Sequence, residues 1–246
     1  METKGTLNEG AVKAKLDNFW YYYKWYVLVG AFLLIAAALL ITQSCSREKS
    51  DGCVYYAGEI FFTEAQATKL ENALESTMRS DPNGDGKKKI QLITQVILSG
   101  DKQAQAMHEA REEEDDGTFV YAGDVQQNKK DHYEQMAYGE AVICLLDRAF
   151  FEEARDAGRL ATFEEALGFT PEGALDGYGI ALGATGAGQF FEILQALPED
   201  TILCVKKPTV VYQNSGLFSK KDTAPNKEYM AQLQILRELL EFKVAE

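Results

Sequence analysis

Residues 25–46 contain no charged side chain, and residues 25–41 (WYVLVGAFLLIAAALLI) are almost wholly apolar. This run constrains the chain more than any other feature. Twenty-two uncharged residues in a helix reach about 33 Å at 1.5 Å per residue, enough for a hydrocarbon core of about 30 Å. Directly before it stands FWYYYKWY, residues 19–26. Amphipathic rings favour the headgroup layer, so this block reads as an interfacial belt with Lys24 reaching toward phosphate. A core helix of a soluble domain has no use for such a belt.

The charge on either side gives an orientation. Four lysines and three acids precede the run, a net of +1, and only Arg47 and Lys49 lie close behind it. The positive-inside bias places the N-terminus in the cytoplasm. Two processing events compete with a retained anchor: removal as a signal peptide, and lipidation at Cys45. Ala36, Ala37 and Ala38 lie inside the apolar run rather than after it, and residues 42–44 (TQS) lack the leucine and small residues that lipoprotein cleavage prefers. The expected organisation is therefore a cytoplasmic segment with its aromatic belt (1–24), a transmembrane helix (25–46) and an extracytoplasmic α/β domain (47–246). That last part holds 21 bases and 35 acids, a net of −14. Nucleic acid and anionic lipid are poor partners for it, whereas cations, basic partners and neutral solutes fit.

After a polar stalk (43–52) the patterning alternates between strand and helix. Residues 53–62 are β-branched and aromatic, and Thr63 with Gln66 forms a capping box before a helix. A turn at 81–86 leads to a strand over 89–98. The spacing then predicts a helix over 101–116, a short strand at 119–122 and a helix over 128–138. A buried strand follows at 141–146, with Asp147 as N-cap of a helix ending at Gly158. Thr162 with Glu165 caps another helix closing at Gly168. Strands are expected at 178–182, 201–205 and 209–212, a helix over 189–197, and a last amphipathic helix opened by Pro225 that buries Tyr229, Leu233, Leu236, Leu240 and Val244. Such alternation predicts an α/β fold with a mostly parallel sheet flanked by helices.

The best-defined motif is D-P-N-G-D-G-K, residues 81–87. Oxygens at alternate positions with glycine at the sixth let a loop wrap a hard cation, so Asp81, Asn83, Asp85 and the Lys87 backbone carbonyl are the expected ligands of one structural calcium ion. The twelfth position is Leu92, not glutamate, so at most a partial, weak site is expected. A metal-free Asx/Gly turn is the alternative.

Catalytic motifs are scarce. Four cysteines (Cys45, Cys53, Cys144, Cys204) lack zinc spacing; Cys144 and Cys204 read as buried thiols, and Cys45 and Cys53 could pair across the stalk. His108 has no second histidine four positions on, and His132, in a polar helix, reads as a surface residue. Ser46-x-x-Lys49 is too short a Ser–Lys pattern to weigh. The glycines at 183, 186 and 188 follow a strand and precede a helix, where amides can cradle an anion, but neither a P-loop lysine nor a dinucleotide spacing is present. No nucleophile–base pair is evident, so a hydrolase is the least supported class and no enzyme is expected.

The aromatic Tyr-Tyr-Lys-Trp at 22–25, the single span and the Asp-x-Asn-x-Asp-Gly loop resemble a group of Gram-positive bacterial single-pass membrane proteins without an assigned activity. Residues 136–151 (MAYGEAVICLLDRAFF) are similar to a segment of extracellular solute-binding proteins of the type 2 periplasmic-binding fold. The resemblance implies a reduced domain of that fold over about 53–242, acting as a tethered binding module for a small solute. Tyr55, Tyr56, Tyr121 and Asp147, near strand ends, are the expected cleft residues. An accessory or scaffold subunit of a membrane complex, working through protein contacts, is the second reading.

The orientation has a direct check. A tag placed before Lys4 should stay protected in intact cells while one after Glu246 is labelled; a shielded C-terminal tag would reverse the assignment.

Overall fold

The computed structural model describes residues 6–45, 50–98, 122–209, 213–214 and 222–243. The chain divides into two units, Met1–Lys49 and Ser50–Glu246. In the first, a single helix α1 (Thr6–Cys45) runs for 40 residues, about 60 Å at the standard rise. Within it Phe19–Ala37 has a mean hydropathy of 1.2 with none of it buried. It is long and apolar enough to cross a membrane, a test that a signal sequence near the N-terminus also passes. The belt rings are solvent-facing, with Phe19 stacked on Tyr23 and the Lys24 ammonium over the Tyr21 ring.

The second unit is an α/β sandwich. Its elements in chain order are β1 (Gly52–Gly58), α2 (Glu64–Thr77), β2 (Ile90–Val96), α3 (Ala122–Tyr138), β3 (Ile143–Asp147), α4 (Arg148–Asp156), β4 (Leu160–Ala161), α5 (Phe163–Leu167), β5 (Ala174–Leu175) and β6 (Gly179–Ala181). A 3₁₀ turn (Leu182–Ala184) then leads to α6 (Gly186–Phe190), α7 (Glu192–Gln195), β7 (Thr201–Lys206), β8 (Gln213–Asn214), β9 (Asp222–Pro225) and α8 (Lys227–Leu240). The main sheet has the order β2-β1-β3-β7-β6-β5, with β4 also on β7. β1 pairs with β2 and β3 in parallel, but β3–β7, β7–β6, β6–β5 and β4–β7 are antiparallel. The sheet is thus mixed, not mostly parallel as the alternation predicted. The run TILCVK of β7 is buried at every position, and a continuous apolar run suits a central strand of either direction.

Helices cover both faces. Val54, Tyr56, Ile143, Leu145, Leu203 and Val205 pack with Leu70 and Leu74 of α2, Phe163 of α5 and Leu233 and Leu236 of α8. On the other face Cys53, Tyr55, Cys144, Leu146 and Cys204 pack with Met136 of α3 and Phe150 and Phe151 of α4. Local signals place the helix ends. Both capping boxes form, at Thr63/Gln66 and Thr162/Glu165, and Gly168 closes α5 in the left-handed conformation. The helix expected over 189–197 is instead two short helices, because Phe191 between them is extended. Asn226, not Pro225, caps the last helix through its side chain. The expected helix at 101–116, residues 119–121 and 210–212 of two expected strands, and Val244 lie outside the described residues.

One buried side chain anchors the seam between β1 and β3, and a second ties β7 to the end of α3. Gln232 of α8 is buried; its Oε1 accepts from Cys53 N (3.4 Å) and Val142 N (3.0 Å), and its Nε2 donates to Glu140 O (3.0 Å). Buried Lys206 donates from Nζ to Gln135 O (2.9 Å) and Gly139 O (2.7 Å), closing the C-terminal end of α3. A cation is favoured where helix carbonyls point outward, and burial nonetheless lowers its pKa. The edge strand β2 is protected as well: Ile90 N donates to Glu75 Oε1 and Leu92 N to Glu71 Oε1, which occupies amides that an edge otherwise offers to another strand.

His132 is buried, contrary to its expected surface position. Its Nδ1 lies 2.8 Å from the Tyr55 hydroxyl, and its ring contacts Phe150. Burial lowers its pKa from 6.5 to about 4, against a raising influence of Glu153. A neutral buried histidine favours folding above its unfolded pKa, and that stability is lost as pH falls from about 6.5 toward 4, because the unfolded chain takes up the proton first. Between pH 7 and 5 the loss is about 2 kcal/mol, or about 4–8 °C in Tm for a domain of this size. Melts of the full chain in detergent should show this step, and His132→Gln, which keeps a hydrogen-bonding partner for Tyr55, should flatten it.

Candidate functional site

From β1 the chain crosses to β2 on one side and later returns as β3 on the other. Strand order therefore reverses between β1 and β3, and in open α/β sheets ligands gather beyond the carboxyl ends of strands at such a point. Tyr56, Gly58, Glu59 and Asp147 meet there. Asp147 occupies the N-cap position of α4 but makes no side-chain cap. Its Oδ2 instead crosses the seam to accept from Glu59 N at 3.3 Å. The Tyr56 hydroxyl accepts from Ile60 N at 3.2 Å, and its ring meets Phe62 edge-on at 5.0 Å. A Cβ on Gly58 would overlap both the Asp147 carboxylate and the Tyr56 hydroxyl. Only glycine lets the two side chains close over the strand end.

The site is acidic. Burial raises the Tyr56 pKa, and although the Ile60 amide opposes that, Asp147, Glu59 and Asp200 raise it further. The phenol stays protonated beside three carboxylates. Thr201 lies directly opposite Asp147 in the β3–β7 register, wholly buried, and its Oγ1 has no hydrogen-bond partner among the described residues. A buried unpaired hydroxyl costs about 1–3 kcal/mol, and such groups in native folds call for a reason. In the loop after β1, Phe61 is 75% exposed.

The structure brings Tyr56 and Asp147, two of the four expected cleft residues, to the same end of the sheet. Tyr55 is elsewhere: adjacent positions on a strand face opposite ways, and its hydroxyl is committed to His132. Tyr121 lies outside the described residues. Gly58, Glu59, Asp200 and Thr201 were not anticipated. A glycine ending an aromatic strand was the available signal for the first; the others depend on the strand order.

The loop at 81–87 lies at the amino ends of β1 and β2. Asp81 accepts from Gly84 N and Gly86 N through its two oxygens (2.9 and 2.7 Å), Asn83 from Asp85 N (2.9 Å), and Asp85 from Lys87 N (2.9 Å). Gly84 and Gly86 hold φ of 74° and 82°, which glycine adopts without cost. Asp51 ties the loop to β1 by accepting from Asn83 N and Lys89 N. Among the described residues no three His, Cys, Asp or Glu side chains converge as a metal-binding group. The loop contributes two acids and an amide, and each bonded carboxylate oxygen keeps a second lone-pair direction.

The glycine segment at 183–188 is committed to packing. Thr185 Oγ1 takes the Gly188 amide at 3.0 Å, and a Cβ on Gly186 or Gly188 would strike the Phe242 or Leu182 carbonyl. Cys53 is buried in β1, where the expected first strand begins, and Cys45's side chain, the Ser46–Lys49 pattern and His108 lie outside the described residues. Comparison with protein-family models, with curated proteins and with solved structures returned no match.

Proposed function

We propose that this chain is a membrane-anchored, non-catalytic binding module with its N-terminus in the cytoplasm, whose ligand meets the carboxyl ends of β1 and β3. The anchor reading is supported by the aromatic belt and by the lysines on the N-terminal side of the span. The binding reading is carried by one observation: Asp147 gives up capping its own helix and reaches across the switch point to Glu59, beside Tyr56 and the unpaired Thr201 hydroxyl. Three carboxylates at one strand end favour a cationic solute or a basic partner segment. The resemblance to solute-binding proteins fits a reduced version of that fold. A two-lobe clamp closes one sheet-based lobe on another, and the described residues form one main sheet and a two-stranded ribbon.

The exposed Phe61 in the same loop favours the second reading, an accessory subunit that docks a protein partner at this end. The two separate in one experiment. Full-chain protein in detergent, melted against amino acids, polyamines and short basic peptides, should gain several degrees with a cationic solute, and Asp147→Asn should lose that gain while Phe61→Ala keeps it. No shift across the panel, together with a detergent-stable complex that Phe61→Ala disrupts, would favour the accessory subunit.

The loop at 81–87 is proposed to hold one structural calcium ion through Asp81, Asn83, Asp85 and the Lys87 carbonyl, with affinity of order 10⁻⁴–10⁻³ M. Calcium at about ten times Kd would stabilise the fold by about 1.4 kcal/mol, about 3–6 °C at this size. Millimolar calcium should raise the melting temperature by that amount, and Asp85→Ala should abolish the increment. A melt indifferent to calcium would leave the loop as a metal-free turn.

A further inference from the structure

The antiparallel joint between β3 and β7 connects the parallel half of the sheet to the antiparallel half, and two cysteines face each other across it. Cys144 and Cys204 are direct partners in the register. Both are free thiols and both are completely buried, on the face packed by α3 and α4. Lys206 N donates to Val142 O at 2.8 Å, which makes 142 and 206 a hydrogen-bonded pair. Two residues along each strand, 144 and 204 are then a pair of the same kind, with Cα atoms about 5.5 Å apart. Disulfides span Cα separations of about 4.4–6.8 Å, so the backbone already stands at bonding distance. Side chains of hydrogen-bonded pairs are less close than those of the alternate pairs, so closure requires the two strands to draw together locally.

We propose that Cys144 and Cys204 form an oxidisable pair that closes to a cross-strand disulfide and fastens β3 to β7. The oxidant is a disulfide-bearing thiol reagent or oxidoreductase, acting while the strands are still accessible during folding. One cysteine thiolate attacks the oxidant's disulfide, forming a mixed disulfide and releasing one thiolate. The other cysteine then attacks the sulfur of the first and releases the second. The two cysteines lose two electrons and two protons, and the oxidant becomes two thiols. Either cysteine can make the first attack while the strands are accessible; in the finished fold the Cys144 sulfur lies 3.9 Å from Val142 O, and burial pushes the Cys204 thiol up. Cys53 lies on the same face, but its sulfur is engaged with Ser50 and Gln91, each at 4.0 Å, and it has no cysteine opposite it in either register.

The test uses the full chain in detergent, unfolded in denaturant and refolded with oxidised or with reduced glutathione. After oxidised refolding, the intact protein should be two hydrogen masses lighter, and a linked peptide pair should join Cys144 to Cys204. The oxidised form should melt several degrees above the reduced form, and a reductant acting on unfolded protein should return it. The Cys45→Ala/Cys53→Ala variant should behave identically, which excludes pairing through the stalk. If both Cys144 and Cys204 remain open to alkylation after oxidised refolding and denaturation, or if the linked peptides contain Cys45 or Cys53 instead, the proposal fails. These readouts require no substitution at either proposed cysteine, so a folding defect there cannot obscure the result.

Discussion

The seam between β1 and β3 is the constraint on which the rest of the domain depends. These are the central parallel strands, joined through β2 and α3 across more than eighty residues of chain, and parallel pairing at such separation is gained only after a large loop-closure cost. Side chains reinforce both ends of the seam. At the amino end Gln232 satisfies backbone groups of both strands with one amide. At the carboxyl end Asp147 takes the Glu59 amide, in a space that Gly58 leaves open. The first contact is structural, since it draws α8 onto the sheet. The second is built from a carboxylate, a phenol and a glycine, and it is the group on which the proposed binding site rests.

The consecutive tyrosines of β1 show how one strand can serve both ends. Tyr55 faces α3 and α4, where its hydroxyl pairs with His132 in an apolar setting. Tyr56 faces the other layer, and its hydroxyl emerges at the switch point beside the acids. Both phenols are buried and both have raised pKa values, yet only one contributes to the candidate site. Burial and perturbed titration alone do not separate these roles; the direction each residue faces does.

Much of the local structure was legible because its causes are local. The capping boxes at Thr63 and Thr162, the left-handed Gly168 and the buried strand before Asp147 each depend on residues within a few positions of one another. What could not be read depends on distant partners. His132 lies in a polar helix, and only the approach of Tyr55, 77 residues away, makes it a core residue. Asp147 has the sequence of an N-cap and the position of one, but its hydrogen bond is to a residue 88 positions earlier. The direction of β7 leaves no trace in its composition, so the mixed sheet and the opposition of Cys144 and Cys204 appear only with the register.

The acidity of the domain has a structural side that net charge does not convey. Several carboxylates are used as acceptors for backbone amides rather than as partners for bases. Asp51 holds the base of the 81–87 loop, and Glu71 and Glu75 cover the edge of β2. Glu238 receives Arg79 N and Ser80 N; burial pushes its pKa up, but these hydrogen bonds and that of Gln234 outweigh it and hold it low. Hydrogen bonds to charged acceptors are worth more than neutral ones, and they lose less to salt than exposed ion pairs do. An acid-rich surface can therefore tolerate its own repulsion where each carboxylate has a backbone donor to itself. Asp147 follows the same pattern in taking the Glu59 amide, but with Glu59 and Asp200 it also forms a group of acids that raises the Tyr56 pKa, and this concentration is what supports the proposed cationic ligand.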